Sequence, residues 1–111
     1  MIKWLDPLFV SESAERDIKR TVRRIKHRRG LLDIYVLVLP TNIEDQLDIL
    51  HANYLLQPWY QHRELTIVGI AKGKREAVDL VVRMVDEAQK RIGVPNLKLY
   101  LRWLLSGEGG G

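Results

Sequence analysis

The chain contains no cysteine among its 111 residues. That absence excludes disulfide bonds, thiolate metal ligands and cysteine nucleophiles, and it fits a reducing compartment, so we expect a cytoplasmic protein. Long hydrophobic runs are lacking as well. The longest, residues 34–39, has the length of a strand and is far shorter than a membrane-spanning helix. We therefore expect no membrane partner.

Motifs of known chemistry are missing too. The chain has neither the GxSxG turn of serine hydrolases, nor the GxGxxG dinucleotide fingerprint, nor the Gly-Lys-Ser/Thr ending of a phosphate-binding loop. Its three serines, Ser11, Ser13 and Ser106, lie near a predicted helix start or in the C-terminal tail. The sequence gives no positive case for catalysis, and we predict no catalytic residue and no cofactor.

Strand-like and helix-like segments alternate along the chain. The predicted strands are residues 2–5, 31–39 and 65–71, and the predicted helices are 11–29, 42–55 and 74–92. Strands separated by helices imply parallel pairing through crossover connections. We therefore predict a small three-layer α/β domain over residues 1–105, with a mostly parallel sheet of three to four strands and about three helices. Residues 106–111 are predicted to be a flexible, glycine-rich tail.

The ends of these elements carry local signals. Gly30 suits the left-handed position after the first helix, and Gly93 has the same place after the third. Thr41 and Glu44 have capping-box spacing for the second helix. Residues 97–105 alternate leucine with polar side chains, which predicts a strand. The alternative is a short helix capped by Asn96 and stopped by Gly107.

Positive charge is concentrated in one segment. Residues 16–29 contain eight of the 18 Lys and Arg residues and a single acid, Asp17, so this segment carries +7 while the whole chain carries +4. The rest of the chain is therefore slightly acidic. A basic balance confined to one element indicates a surface for an anion or an acidic partner.

A helical wheel separates this segment into two faces. An apolar stripe faces the sheet, and the opposite side carries the residues predicted to bind a polyanion: Arg16, Lys19, Arg20, Arg23, Arg24, Lys26 and His27. We predict a non-catalytic binding module whose partner is RNA or another nucleic acid first and an acidic protein second. Because the helix lacks aromatic residues for stacking on bases, it should contact backbone and not sequence. The competing interpretation is a solvated face that maintains solubility.

An alternative site lies at two predicted strand ends. Thr41 and Asn42 follow one buried strand, and Lys72, Gly73 and Lys74 follow the next. Ligands of open parallel sheets bind beyond the carboxyl ends of the strands. A small-molecule or nucleotide-phosphate binding domain, or an enzyme acting on such a ligand, would therefore use these residues. This alternative requires the two strands to be parallel neighbours.

Two weaker patterns favour ordinary structural roles. Glu44, Asp48 and His51 have the spacing of one helical face, but such spacing is common on solvated helices, and we predict no metal site. The cluster of Tyr54, Trp59 and Tyr60 resembles an interface, although it more often anchors a loop on the core.

The third predicted helix has an apolar arc wider than a single sheet face needs. The second alternative function is therefore an oligomeric structural protein without a ligand. We predict a homodimer that uses Val78, Val82 or Val85 together with Trp103, unless residues 97–105 cover the helix.

Overall fold

A computed structural model describes residues 2–39, 47–61 and 63–107. The strands are β1 (Ile2–Val10), β2 (Ile34–Leu39), β3 (Asp48–His51) and β4 (Leu65–Lys72). The helices are α1 (Ile18–Lys26), α2 (Pro58–Gln61), α3 (Lys74–Ile92) and α4 (Leu97–Leu105). Short 3-10 turns precede α1 at Glu15–Asp17 and follow β3 at Ala52–Leu56.

The four strands form one mixed sheet in the order β1-β4-β2-β3. Only β1 and β4 pair in parallel, whereas β2 pairs antiparallel with both β4 and β3. The prediction of a mostly parallel sheet is therefore wrong. The antiparallel pairing arises because the segment after β2 returns to the sheet as strand β3, where a crossover helix was expected.

The predicted helix over 42–55 is wrong over its described part. Asp48–His51 forms strand β3, and Ala52–Leu56 forms a 3-10 turn, while residues 40–46 lie outside the described residues. Ile49 and Leu50 pack against opposite faces of the sheet, as alternate residues of a strand do. Pairing with β2 thus outweighs the weak helical signal of the sequence.

Both faces of the sheet are covered. The first face packs against α1 and the Ala52–Leu56 turn, with Val36, Val38 and Ile67 in the core between them. The second packs against α3 and α4, with Leu37 and Val68 among the buried residues. The predicted three-layer arrangement is present, and the nearly continuous apolar sequence of β2 and β4 reflects burial on two sides.

A bulge in β4 lies at Val68, next to Gly69. The pairing with β2 steps from Leu37–Gly69 to Val38–Ile67, and the pairing with β1 is also irregular there. A methyl group built on Gly69 would lie 3.2 Å from the carbonyl oxygen of Phe9 and 3.3 Å from Leu37 Cδ2. Glycine thus permits a close approach of three strands at this point.

The C-terminal segment is a helix, so the predicted strand is wrong and its alternative is right. The Asn96 side chain accepts a 3.0 Å hydrogen bond from the backbone N–H of Leu99, which caps α4. Tyr100 and Leu101 are fully buried against α3, whereas Leu99 is exposed. Burial follows a helical spacing, and the alternation of leucines does not reflect the packing.

Helix α3 has the bounds that the sequence predicts, and Gly93 ends it in the left-handed conformation (φ 79°). No helix within the described ranges is long and apolar enough to cross a membrane.

Candidate functional site

Helix α1 packs on the sheet through a narrow apolar stripe. Thr21 and Ile25 are buried, and Ile18 and Val22 are half-buried in the same core cluster. The remaining positions of the helix are basic and point away from the sheet. The predicted cations Arg16, Lys19, Arg20, Arg23, Lys26 and His27 are all exposed, and Arg24 is half-buried.

Five basic side chains line a groove of about 200 Å³ along this helix, which we call the cationic groove: Arg20, Arg23, Arg24, His27 and Arg29. The first four are spaced i, i+3, i+4 and i+7 and therefore share one side of the helix. Among the residues that the structure describes, no carboxylate lines the groove. Such a lining concentrates positive potential on a concave surface.

The turn after α1 adds Arg29 to the groove. Arg28 is left-handed (φ 55°), its N–H donates to Ile25 O at 3.1 Å, and the N–H of Arg29 donates to Arg24 O at 2.9 Å. These bonds form a Schellman motif. The left-handed position is therefore Arg28, and the prediction that Gly30 would occupy it is wrong.

Arg24 also has a structural role. Its Nη2 and Nε donate to the carbonyl oxygen of Gly30 at 2.8 and 3.3 Å, which holds the chain that leaves α1. The guanidinium is thus oriented, with donors left over for a second acceptor.

Carboxylates do not neutralise the exposed part of this face. Within the described ranges, none of Arg16, Lys19, Arg20 and Arg23 forms an ion pair with a carboxylate. Two ion pairs lie on α3, from Lys90 to Asp86 (3.1 Å) and from Arg91 to Glu87 (3.8 Å).

A second groove, of about 290 Å³, adjoins the cationic groove. Arg20 and Arg24 line both, and the second also has Ser13, Asp17, Thr21, Lys72 and several apolar residues of the 31–34 segment in its lining. Lys72 thus lies on the same concave surface as the helical cations. The position of Lys72 in this groove could not be predicted from the sequence. Lys72 comes close to α1 only because its strand, β4, lies beside β1.

The carboxyl ends of the parallel strands β1 and β4 meet beside this second groove. The buried Ser11 accepts a 3.1 Å hydrogen bond at Oγ from the N–H of Lys72. Hydrogen bonds from the hydroxyl groups of Ser13 and Ser11 hold the pKa of the Glu76 carboxyl below its ordinary value. The two serines, expected only near a helix cap, thus connect three elements.

The alternative small-anion site does not come together. In the antiparallel pairing Lys72 lies beside Ile34, whereas Leu39, at the carboxyl end of β2, lies beside Thr66. The two strand ends are therefore at opposite ends of the sheet. Lys72 and Lys74 are exposed, and Gly73 (φ 82°) begins α3. Thr41 and Asn42 lie outside the described residues.

The residues considered for metal binding are placed on a strand. Asp48 and His51 are the two ends of β3, and Glu44 lies outside the described residues. His51 Nδ1 accepts a hydrogen bond from the N–H of Asn53 at 3.1 Å, and its ring packs edge-on against Tyr35. Among the described residues, no three His, Cys, Asp or Glu side chains cluster as metal ligands would.

The three aromatic residues of the 54–60 segment differ in environment. Tyr60 packs against the core, as the anchoring interpretation predicts. Tyr54 and Trp59 are half-exposed, at 49% and 54%, and the guanidinium of Arg63 lies 3.7 Å from the Trp59 ring centroid.

Comparisons with protein families, with curated proteins and with solved structures found no match to this chain. Inferences about its function therefore rest on the geometry and charge of the surface around α1.

Proposed function

We propose that this chain is a non-catalytic binding module whose basic α1 face binds a polyanion, with RNA or another nucleic acid as the first candidate. The observation that supports this is the cationic groove, in which five basic residues converge and no described carboxylate joins them. Four of the five are arginine, and the arginine fork matches phosphate oxygens in geometry.

In this proposal the protein recognises the phosphate backbone of the nucleic acid. Basic side chains that meet phosphates release condensed counterions, so affinity falls steeply as salt rises. Arg20 and Arg23 are exposed, lie one turn apart and form no ion pair with a described carboxylate, so neither has to break one to reach a phosphate. Contacts of this kind hold a nucleic acid without selecting its sequence.

The test is fluorescence anisotropy with labelled oligonucleotides over a salt series. We expect wild-type affinity to fall linearly on a log–log plot. The double variant Arg20→Gln/Arg23→Gln should lower both the affinity and the slope, by roughly 0.7 to 0.9 per lost phosphate contact.

The matched control is Lys90→Gln/Arg102→Gln, which removes the same charge from α3 and α4, on the opposite face of the sheet. It should bind like the wild type. Equal losses of affinity in the two double variants would indicate a net-charge effect and contradict a site on α1. An affinity that is independent of salt would contradict binding through phosphate contacts.

An acidic protein is the second candidate partner. Polyglutamate, added as a competitor, distinguishes the two because it offers carboxylates without phosphates. If polyglutamate displaces the oligonucleotide at equal charge concentration, the partner is an acidic protein. We place the protein in the cytoplasm, since the complete absence of cysteine fits a reducing compartment.

A homodimer is a separate proposal, with its own observation. Val78 and Val82 lie one turn apart on α3 and remain 48% and 64% exposed although α4 packs on the same helix. An oligomer without a ligand would use this surface, which is far from α1.

A further inference from the structure

A third groove adjoins the cationic groove and differs from it in character. Its volume is about 370 Å³, and we call it the aromatic groove. Its lining includes Trp4, Lys26, Arg28, Arg29 and Tyr60, together with aliphatic residues of β1, α1 and the Ala52–Leu56 turn. The volume lies in the range of small-molecule pockets, and the lining combines aliphatic residues, two aromatic rings and three cations.

The aromatic groove borders the cationic groove at Arg29. Arg29 lines both, because the Schellman turn brings it back beside α1. Lys26, in the last turn of α1, has its Nζ 5.6 Å from the centroid of the Trp4 ring. A chain of phosphates that follows the cations would therefore reach Trp4 and Tyr60 at the end of the helix.

The sequence does not reveal this combination. Helix α1 itself carries no aromatic residue, which favoured contact with backbone alone. Trp4 comes from β1 and Tyr60 from α2, and both reach the basic helix because they pack on the same sheet face. Cations and aromatic rings are thus brought together by tertiary structure.

A nucleic acid with unpaired bases accounts for the combination of cations and aromatic rings better than an acidic peptide does. Every unpaired base has a π-face that stacks on an aromatic ring, and proteins that bind single strands combine such rings with a positively charged groove. In a duplex those faces are already stacked on neighbouring bases, so the aromatic groove would gain little from one. An acidic peptide could use the cations but has no general need of Trp4 and Tyr60.

We propose that the aromatic groove receives an unpaired base, and hence that the polyanion is a single-stranded nucleic acid. This inference rests on the proposed function of the α1 face and names its substrate class. The phosphates lie along Arg20, Arg23 and Arg29, and a base stacks at Trp4 or Tyr60. Both single-stranded RNA and single-stranded DNA satisfy this chemistry.

The experiment compares oligo-U, oligo-dT and a duplex, each about 12 nucleotides long, a length within the site sizes of single-strand binders. The variant is Trp4→Leu, and the control is Trp103→Leu, which removes an aromatic ring from α4 on the other face of the sheet. We expect Trp4→Leu to weaken single-strand binding about tenfold, since stacking contributes on the order of that factor per base. Its salt slope and duplex affinity should not change.

The Trp4 ring packs partly on the core, so substituting it could disturb the fold. A fluorescence measurement tests the same contact without changing Trp4. The chain has three tryptophans, so Trp59→Phe/Trp103→Phe leaves Trp4 as the only one. We expect oligo-U or oligo-dT to quench its emission and the duplex to leave it unchanged. Comparison of the RNA and DNA arms then shows which single strand is preferred.

The outcomes separate the two proposals. If neither nucleic acid nor polyglutamate binds, the proposed function itself fails. If polyglutamate binds as well as oligo-U, the partner is an acidic protein and the inference about an unpaired base is overturned. If single strands and duplex bind equally, and neither Trp4→Leu nor the quenching distinguishes them, the α1 proposal survives and the inference about an unpaired base is overturned.

Discussion

The backbone N–H of Ser13 donates a 3.1 Å hydrogen bond to Oε1 of Glu76, and this bond joins segments that are 63 residues apart in the chain. Ser13 precedes the basic helix, and Glu76 lies in the first turn of α3, on the other side of the sheet. Two residues earlier, the N–H of Ser11 donates to Ile70 O at 3.0 Å. Together these contacts fix where the chain that leads into α1 leaves the sheet.

The Glu76→Gln variant should be less stable at neutral pH. The hydroxyl hydrogen bonds that lower the Glu76 pKa favour its charged form, and the neutral amide cannot replace them fully. We expect a loss of about 1 kcal/mol or less, because solvent screens the site. The pKa of this carboxyl is lower in the folded state than its ordinary 4.5. Its contribution is therefore present above pH 4.5 and is lost as the pH falls through the lowered value.

Urea unfolding at pH 7 and again near pH 3 measures this dependence. The difference in stability between the wild type and Glu76→Gln should be smaller at the lower pH than at the higher. Glu12→Gln is the control, since it removes an exposed carboxylate from the loop that Glu76 contacts. If Glu12→Gln shows the same pH dependence, the effect comes from net charge and not from the contact with Ser13.

Substitution of Gly69 by alanine should destabilise the sheet. The added methyl group would meet the Phe9 carbonyl oxygen of β1 at 3.2 Å and Leu37 Cδ2 of β2 at 3.3 Å, on the two sides of β4. Strain of this kind in a packed interior costs about 1–3 kcal/mol. Thermal unfolding of Gly30→Ala provides the comparison, because there the nearest atom is Asn53 Oδ1 at 3.8 Å, an ordinary contact. Equal melting temperatures for the two variants would contradict the tight approach at the bulge.

The left-handed backbone of Arg28 gives a prediction about the turn after α1. Arg28→Gly and Arg28→Ala both remove the side chain, but only glycine adopts a φ of 55° without steric cost. We expect the glycine variant to be the more stable of the two by about 0.5–1 kcal/mol, after allowance for its more flexible unfolded state. Chemical denaturation decides this. Greater stability of Arg28→Ala would mean that the Schellman turn is absent.

Local signals in the sequence account for much of the fold. The bounds of α3 follow from Gly73, from Gly93 and from an apolar face of helical spacing. The strands β2 and β4 follow from their continuous apolar composition. The relative direction of those strands could not be predicted, because burial on both faces imposes the same composition on parallel and antiparallel neighbours. Their direction depends on the connection after Leu39, where a capping-box spacing at Thr41 favoured a helix.

Only part of the candidate site could be predicted from the sequence. Helical spacing alone places Arg20, Arg23 and His27 on one side of α1. The other members of the surface join it through tertiary contacts: Arg29 by the turn, Lys72 by the pairing of β4 with β1, and Trp4 by its place on β1. No pattern within a single segment could reveal these additions, since each depends on which strands are neighbours.

Self-association is decided by the outer surface of α3. Helix α4 covers part of α3, with Tyr100 and Leu101 fully buried, and Trp103 is half-buried beside Tyr100. Val82 remains 64% exposed, and we predict a homodimer that buries it. Sedimentation velocity at micromolar concentration should show a dimer for the wild type. Val82→Glu should weaken the dimer on the order of 100-fold or more, because an unpaired charge is costly in an apolar interface. Leu32→Glu, at a position 88% exposed beside α1, should leave the dimer intact. A monomeric wild type would show that α4 alone completes the packing of α3.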